Sequence, residues 1–184
     1  MVVVREAIVA AAMMLGIGEE VKENVSNYAN PKTPEVELLI QCFNLVENEL
    51  AVDYMPPIKE ETCEIDDGKL YFEDLEYEIL RVLWVKNIAG EEIPFQIYPE
   101  YLALKENTVK IRYSYVPSLK SLNEVAEIPL PASTHLFALG MAAEYALATG
   151  MFEAARIYGE KYRKAIERLF CSQKAKNMPS RRWV

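Results

Sequence analysis

The side chains best equipped for catalysis are few in this sequence and stand far apart. His135 is the single histidine, with Ser133 and Thr134 just before it. A histidine-activated serine needs a strained turn that exposes the hydroxyl and an acid that orients the imidazole. No G-x-S-x-G sequence is present, so His135 reads as a partly exposed residue in the first turn of a helix. Cys42, Cys63 and Cys171 lack the paired spacing of a metal site or a redox couple, which predicts buried or half-buried thiols. The acidic run Glu60, Glu61, Glu64, Asp66 and Asp67 lacks the alternating ligands and closing Glu of a calcium loop. Asp66-Asp67-Gly68 predicts instead a hairpin turn between two solvated strands. Glu73, Asp74, Glu76 and Glu78 extend that acidic zone as a surface face. Gly16-Ile17-Gly18 lacks a third glycine and a preceding strand, and no phosphate-binding lysine loop occurs. These patterns predict no catalytic residue, no cofactor and no metal: the chain is expected not to be an enzyme.

The elements around these residues set their positions. Val3 to about Leu15 is rich in strong helix formers and is broken by Gly16 and Gly18; Glu19 to Ser26 suits a short second helical piece. Residues 27–32, with Asn30-Pro31, predict a loop. Thr33-Pro34-Glu35-Val36-Glu37 then opens a helix, with Thr33 as side-chain cap, Pro34 in the first turn and acids at the positive dipole end. Val36, Leu39, Ile40, Phe43, Val46, Leu50 and Tyr54 make its buried stripe, Leu38, Cys42 and Leu45 suggest a second, and Pro56-Pro57 stops it. Beyond Ile58 the period falls to about two. Strands are predicted at 69–72, 79–85, 93–97 and 108–116, the second covered on both faces and the last half solvated. Ser133 opens a helical hairpin that turns at Thr149-Gly150. Its first helix is dense in small residues, including Ala138, Gly140, Ala142 and Ala146, which allow close approach by another helix. Its second buries Phe152, Ala155, Gly159, Tyr162, Ile166 and Leu169 at 3-4 spacing.

The expected fold is α+β: mainly a bundle of about four helices, with an inserted small antiparallel sheet and an extended C-terminal tail. Residues 1–57 and 129–172 form the bundle, 58–128 the inserted β subdomain, and 173–184 a docking tail. With 184 residues, 51% hydrophobic and 26% charged, the chain can build a real core. Its net charge of −8 argues against nucleic acid as the main partner. The charge is uneven, with 11 Lys/Arg against 24 Asp/Glu up to residue 128 and 9 against 4 thereafter. Such asymmetry suits head-to-tail contact between copies, or an acidic partner for the basic end. The longest apolar run, Ala7 to Ile17, falls short of the ~20 residues that span a bilayer, and a soluble protein without membrane contact is expected. The tail carries Lys174, Lys176, Arg181 and Arg182, no acid, and ends on Trp183-Val184. Arg and Trp are common interface anchors, so Arg181, Arg182, Trp183 and Val184 are the candidate docking residues.

Leu130-Pro131 precedes a helix carrying Ala142-Ala143-Glu144-Tyr145-Ala146 and Thr149-Gly150. Phe152-Glu153-Ala154-Ala155, Tyr158 and Tyr162-Arg163-Lys164-Ala165 follow, and the chain closes on Met178-Pro179-Ser180-Arg181-Arg182-Trp183. With the N-terminal Ile8 to Met13 and the helix from Thr33, this layout resembles the head–tail adaptor (connector) proteins of tailed bacteriophages. The resemblance implies a virion structural protein at the head–tail junction, assembled in the host cytoplasm. It implies a homo-oligomeric ring, commonly of twelve copies, that binds beneath the portal protein and carries a downstream tail or stopper protein. Arg181, Arg182 and Trp183 would reach into the portal. DNA would cross the ring transiently, without sequence-specific binding, through a channel that an acidic body keeps slippery. Another phage ring (a tail terminator, stopper or completion protein) and a cellular helical adaptor are the alternatives.

Overall fold

The computed structural model describes residues 1–27, 33–129 and 132–174. Most of the loop expected over 27–32 lies outside these residues, as do Leu130-Pro131 and the docking residues Arg181, Arg182, Trp183 and Val184. Two compact units are present: Met1–Val46 with Lys120–Ala126 and Leu130–Val184, and Glu47–Leu119 with Glu127–Pro129.

The expected bundle of about four helices with one inserted sheet is overturned. Among the described residues there are five α-helices and two antiparallel sheets of three strands each. The fifth helix is α2 (Gly18–Asn27), whose apolar signal is only Val21 and Val25, four residues apart and both buried. The short helical piece expected over Glu19 to Ser26 is thus a full helix, and it raises the count from four to five.

In the first unit, α1 (Val4–Leu15) buries Val4, Ala7, Ile8, Ala11 and Ala12 along one face. Gly16 ends it at φ 80°, its N–H donating to the Ala12 and Met13 carbonyls; a side chain would be strained in that left-handed position. In α3 (Pro34–Glu49) the expected side-chain cap is not made. The Thr33 hydroxyl is buried without a partner among the described residues, and Glu37 N–H donates to the Thr33 carbonyl instead (3.0 Å). Segment 120–126 is tied to this unit from two sides. Asn44 Nδ2 donates to the Lys120 carbonyl (3.1 Å) while Lys120 N–H donates to Asn44 Oδ1 (2.6 Å). Arg5 Nη2 donates to Asn123 Oδ1 (2.7 Å).

Helix α4 (Thr134–Ala148) is capped by Ser133, whose hydroxyl accepts the Leu136 N–H (3.2 Å). It buries nine residues, Leu136 to Ala142, Tyr145 and Ala146. Phe137 stacks on Phe43 of α3 with ring centroids 4.8 Å apart. At Gly140 a Cβ would sit 2.8 Å from Val46 Cγ2 and 3.0 Å from Tyr162 Cε2. The small residue therefore permits the close approach its sequence implied. Helix α5 (Phe152–Lys174) differs from its expected stripe. Tyr162 and Ile166 are buried, but Phe152 is 70% exposed.

In the second unit, β1 (Ile58–Glu64), β6 (Thr108–Tyr115) and β3 (Ile79–Asn87) form one sheet in the order β1-β6-β3. The other has the order β2-β5-β4, from β2 (Lys69–Tyr71), β5 (Tyr101–Ala103) and β4 (Gln96–Ile97). Strand β1 escapes sequence reasoning because Lys59, Glu60, Glu61 and Glu64 mask its alternation. Strand β4 is only two residues long after Pro94, a residue without the N–H a ladder needs. Irregular register against β6 leaves Leu80 and Leu83 of β3 exposed, so this strand is not covered on both faces. Asp67 (φ 49°) and Gly68 (φ 71°) make the expected tight turn. It joins β1 to β2 across two different sheets, however, rather than closing a hairpin of one. Buried Leu70, Leu102, Val109, Ile111 and Tyr113 form the core. Tyr113 donates from its hydroxyl to Glu61 Oε1 (2.5 Å).

Candidate functional site

The residues singled out for chemistry do not converge. Ser133 is engaged as the α4 cap, and His135 is exposed in the helix's first turn. Cys42 is buried beside α4, and its desolvated thiol is pushed up to about 12, with Glu144 adding a smaller repulsion. Burial likewise pushes the Cys63 thiol up to about 11. Both are protonated near neutrality, where a thiol is a poor nucleophile and a poor metal ligand. The Cys171 side chain is outside the described set. Among the described residues no group of three or more His, Cys, Asp or Glu could hold a metal ion, and no helix is long and apolar enough to cross a membrane.

Charge, by contrast, is sorted between the units. The first unit holds 13 Lys/Arg against 11 Asp/Glu, the second 7 against 17. Within the first, Lys161, Lys164 and Arg168 follow one another at three and four residues on α5, a spacing that puts them on one helical face. They line a hollow of about 540 Å³ with His135, Leu139, Tyr158 and Met14. The Tyr158 hydroxyl donates to the Met14 carbonyl, and Lys161 Nζ lies 5.4 Å from the Tyr158 ring. None of these three cations forms an ion pair with a carboxylate among the described residues. One turn earlier the pattern is opposite: Arg156 binds Glu153 (2.7 Å) and Glu160 (3.1 Å). Helix α4 carries no acid in its first turn, so the positive end of its dipole adds to the field around His135.

The second unit has a hollow of about 800 Å³ rimmed by Glu73, Glu76 and Glu78, with Phe72, Tyr77 and Tyr98 on its walls. Tyr98 stacks on Tyr101 (4.8 Å) and Tyr77 on Tyr115 (4.2 Å). All three carboxylates are exposed. Lys59 Nζ meets Glu76 Oε2 at 2.5 Å, and this hydrogen bond holds the Glu76 carboxyl below its ordinary range. Glu73 and Glu78 have no such cation among the described residues. The hollow thus sets three exposed carboxylates over aromatic walls, with Arg81 in the same lining but in no ion pair with Glu73 or Glu78 among the described residues.

The basic groove was not among the features singled out from the sequence. The available signal was the spacing 161, 164, 168. Glu160 and Glu167 stand four and three residues from Lys164, and neither pairs with it among the described residues, Glu160 being taken by Arg156. The aromatic wall of the acidic hollow had no local signal, since Tyr98 and Tyr77 meet only through the folding of unit two. Compared with known proteins, the chain matches no family model and no curated protein.

Proposed function

We propose that this chain is a non-enzymatic virion protein of a tailed bacteriophage: a ring-forming adaptor that joins the portal to the tail and continues the DNA channel. The observation that carries the proposal is the run from Ala142 through Arg182-Trp183, which has the connector layout of small-residue helix, Thr-Gly turn, Tyr/Arg-rich helix and basic end. Two features of the fold support it. The α4–α5 hairpin is held by close contact at Gly140, a stiff base for a segment that must reach a partner. The sorting of charge between the units also suits contact between unlike surfaces of successive copies.

In this role Arg181, Arg182, Trp183 and Val184 dock into the portal protein, and a downstream tail or stopper protein binds the ring. Copies number twelve, as is common for such adaptors, and DNA passes without sequence-specific binding. The site of action is the head–tail junction, after assembly in the host cytoplasm. The double variant Arg181→Glu/Arg182→Glu should lose binding to purified portal rings while its circular dichroism stays that of the parent. Unchanged portal binding would refute the docking role. The two sheets of the second unit favour a second candidate, a stopper or other ring further from the head. That protein would capture tail ends and leave portals alone.

A further inference from the structure

We propose that copies of this chain associate head to tail by seating the acidic rim of one copy, Glu73, Glu76 and Glu78, in the basic groove of the next, Lys161, Lys164 and Arg168. The proposal rests on the ring reading and supplies the contact between its subunits.

Each surface lacks a partner of opposite charge for most of its groups. Lys161, Lys164 and Arg168 form no ion pair with a described carboxylate, whereas Arg156 on the same helix forms two. Glu73 and Glu78 are exposed and form no ion pair with a described cation, although Arg81 lines the same hollow, whereas Glu76 has Lys59. Both surfaces also offer apolar area beneath the charge: Met14 and the Tyr158 ring in the groove, Phe72 and Tyr98 at the rim. An interface needs that combination, because charge sets orientation and encounter rate while buried apolar groups supply affinity.

Symmetry decides the geometry. A two-fold contact through either surface alone would set like charges against each other. Head-to-tail contact between the two different surfaces leaves one free groove and one free rim on every pair and closes into a ring where the rotation permits. A reciprocal two-fold pair would use up both surfaces at once, so a parent that stops at a dimer in sedimentation overturns the head-to-tail contact. The three cations span about 10 Å along α5, at 1.5 Å per residue, and the four acids from Glu73 to Glu78 (Asp74 included) crowd into six residues. A carboxylate-rich segment of protein fits that groove in charge. Nucleic acid would compete for the same cations, and the test separates the two.

The experiment uses the full chain and two double variants, Lys164→Glu/Arg168→Glu in the groove and Glu73→Lys/Glu78→Lys at the rim. Self-association is followed by sedimentation over a wide concentration range at low salt, with circular dichroism checking the fold. The parent should associate with rising concentration and dissociate as salt is added. Each variant alone should associate about a hundredfold more weakly, since like charges then face each other. An equimolar mixture should regain association, because reversed groove and reversed rim are again complementary. A parent that stays monomeric overturns the proposal, as do variants that associate like the parent or a mixture that fails to recover. A groove variant that loses binding to a short DNA duplex while self-associating normally overturns it in favour of nucleic acid. Portal binding through Arg181 and Arg182 is measured separately, so the adaptor role can fail while this contact stands, and the reverse.

Discussion

The two units solve the problem of core formation with opposite materials. The helical unit packs small residues, as at Gly140, where Val46 and Tyr162 leave no room for a methyl group. The sheet unit packs large ones, and its buried Tyr113 satisfies its hydroxyl by donating to Glu61 and by a backbone hydrogen bond with Tyr77. The first core is limited by volume and the second by polar satisfaction. That difference predicts which substitutions each will tolerate.

The largest effect should come from emptying the helical core. Phe137 is fully buried and stacked on Phe43, so Phe137→Ala removes a ring from a site that cannot collapse around small neighbours. A loss of about 3–5 kcal/mol is expected, read from urea unfolding followed by circular dichroism. A loss under about 1 kcal/mol would mean that this core is loosely packed, and the contrast with the sheet unit would fail.

Two glycines in the same unit should respond with opposite signs. Ala is the better helix former by about 1 kcal/mol. At Gly140 the added methyl meets β-branched, buried Val46, and overpacking of this kind costs about 1–3 kcal/mol. Gly140→Ala should therefore be destabilising by about 1 kcal/mol net. At Gly159 nothing lies within 4 Å of a built Cβ, so Gly159→Ala should stabilise by about 0.5–1 kcal/mol. Equal responses at the two sites would show that helix propensity, not volume, governs this unit.

The sheet unit should instead respond to pH. Tyr113→Phe keeps the ring and removes the hydroxyl that donates to Glu61 and bonds the Tyr77 backbone, so a loss of about 1–2 kcal/mol is expected near neutrality. Burial, and then the bond to Glu61, push the Tyr113 phenol well above its ordinary value of 10, and Tyr115 is pushed up in the same way by burial and Glu127. A group raised in the folded state stabilises it fully below the unfolded value, and that contribution fades as pH rises beyond it. The parent should thus lose stability above pH 10, and Tyr113→Phe should show a shallower decline there. Parallel curves would mean that the phenol does not report on this core.

How much of this was legible in the sequence follows from the same contrast. Helices α1, α3, α4 and α5 announce themselves by 3-4 spacing and by capping and breaking residues such as Ser133 and Gly16. Helix α2 was legible only as a short piece over Glu19 to Ser26, because two valines carry its buried face. The sheets were harder. β6 alternates cleanly and was visible, but β1 is masked by its own glutamates, and β5 is three residues long. Pairing Lys69–Tyr71 with Tyr101–Ala103 depends on contacts thirty residues apart, which no local pattern encodes. The groove was half legible: its cations share one helical face by spacing alone, whereas Met14 and His135 join them only in the fold.

The smallest effect should be at Arg156, and its smallness would sharpen the distinction between the two groups of cations on α5. Its guanidinium binds Glu153 and Glu160 on an exposed helical face, and these bonds hold its proton more tightly and the Glu153 carboxyl below its ordinary range. Such pairs are screened by solvent and salt and hold long side chains at an entropic cost. Arg156→Gln should leave the unfolding midpoint unchanged within error, at low salt and at high. It should also leave self-association unchanged, because a cation already neutralised by two carboxylates of its own helix has little charge to offer a neighbouring copy. Lys164→Gln, one charge removed two turns further along the same helix, should weaken association. Weakening by both would mean that the net charge of α5, not the groove around Lys164, holds the copies together.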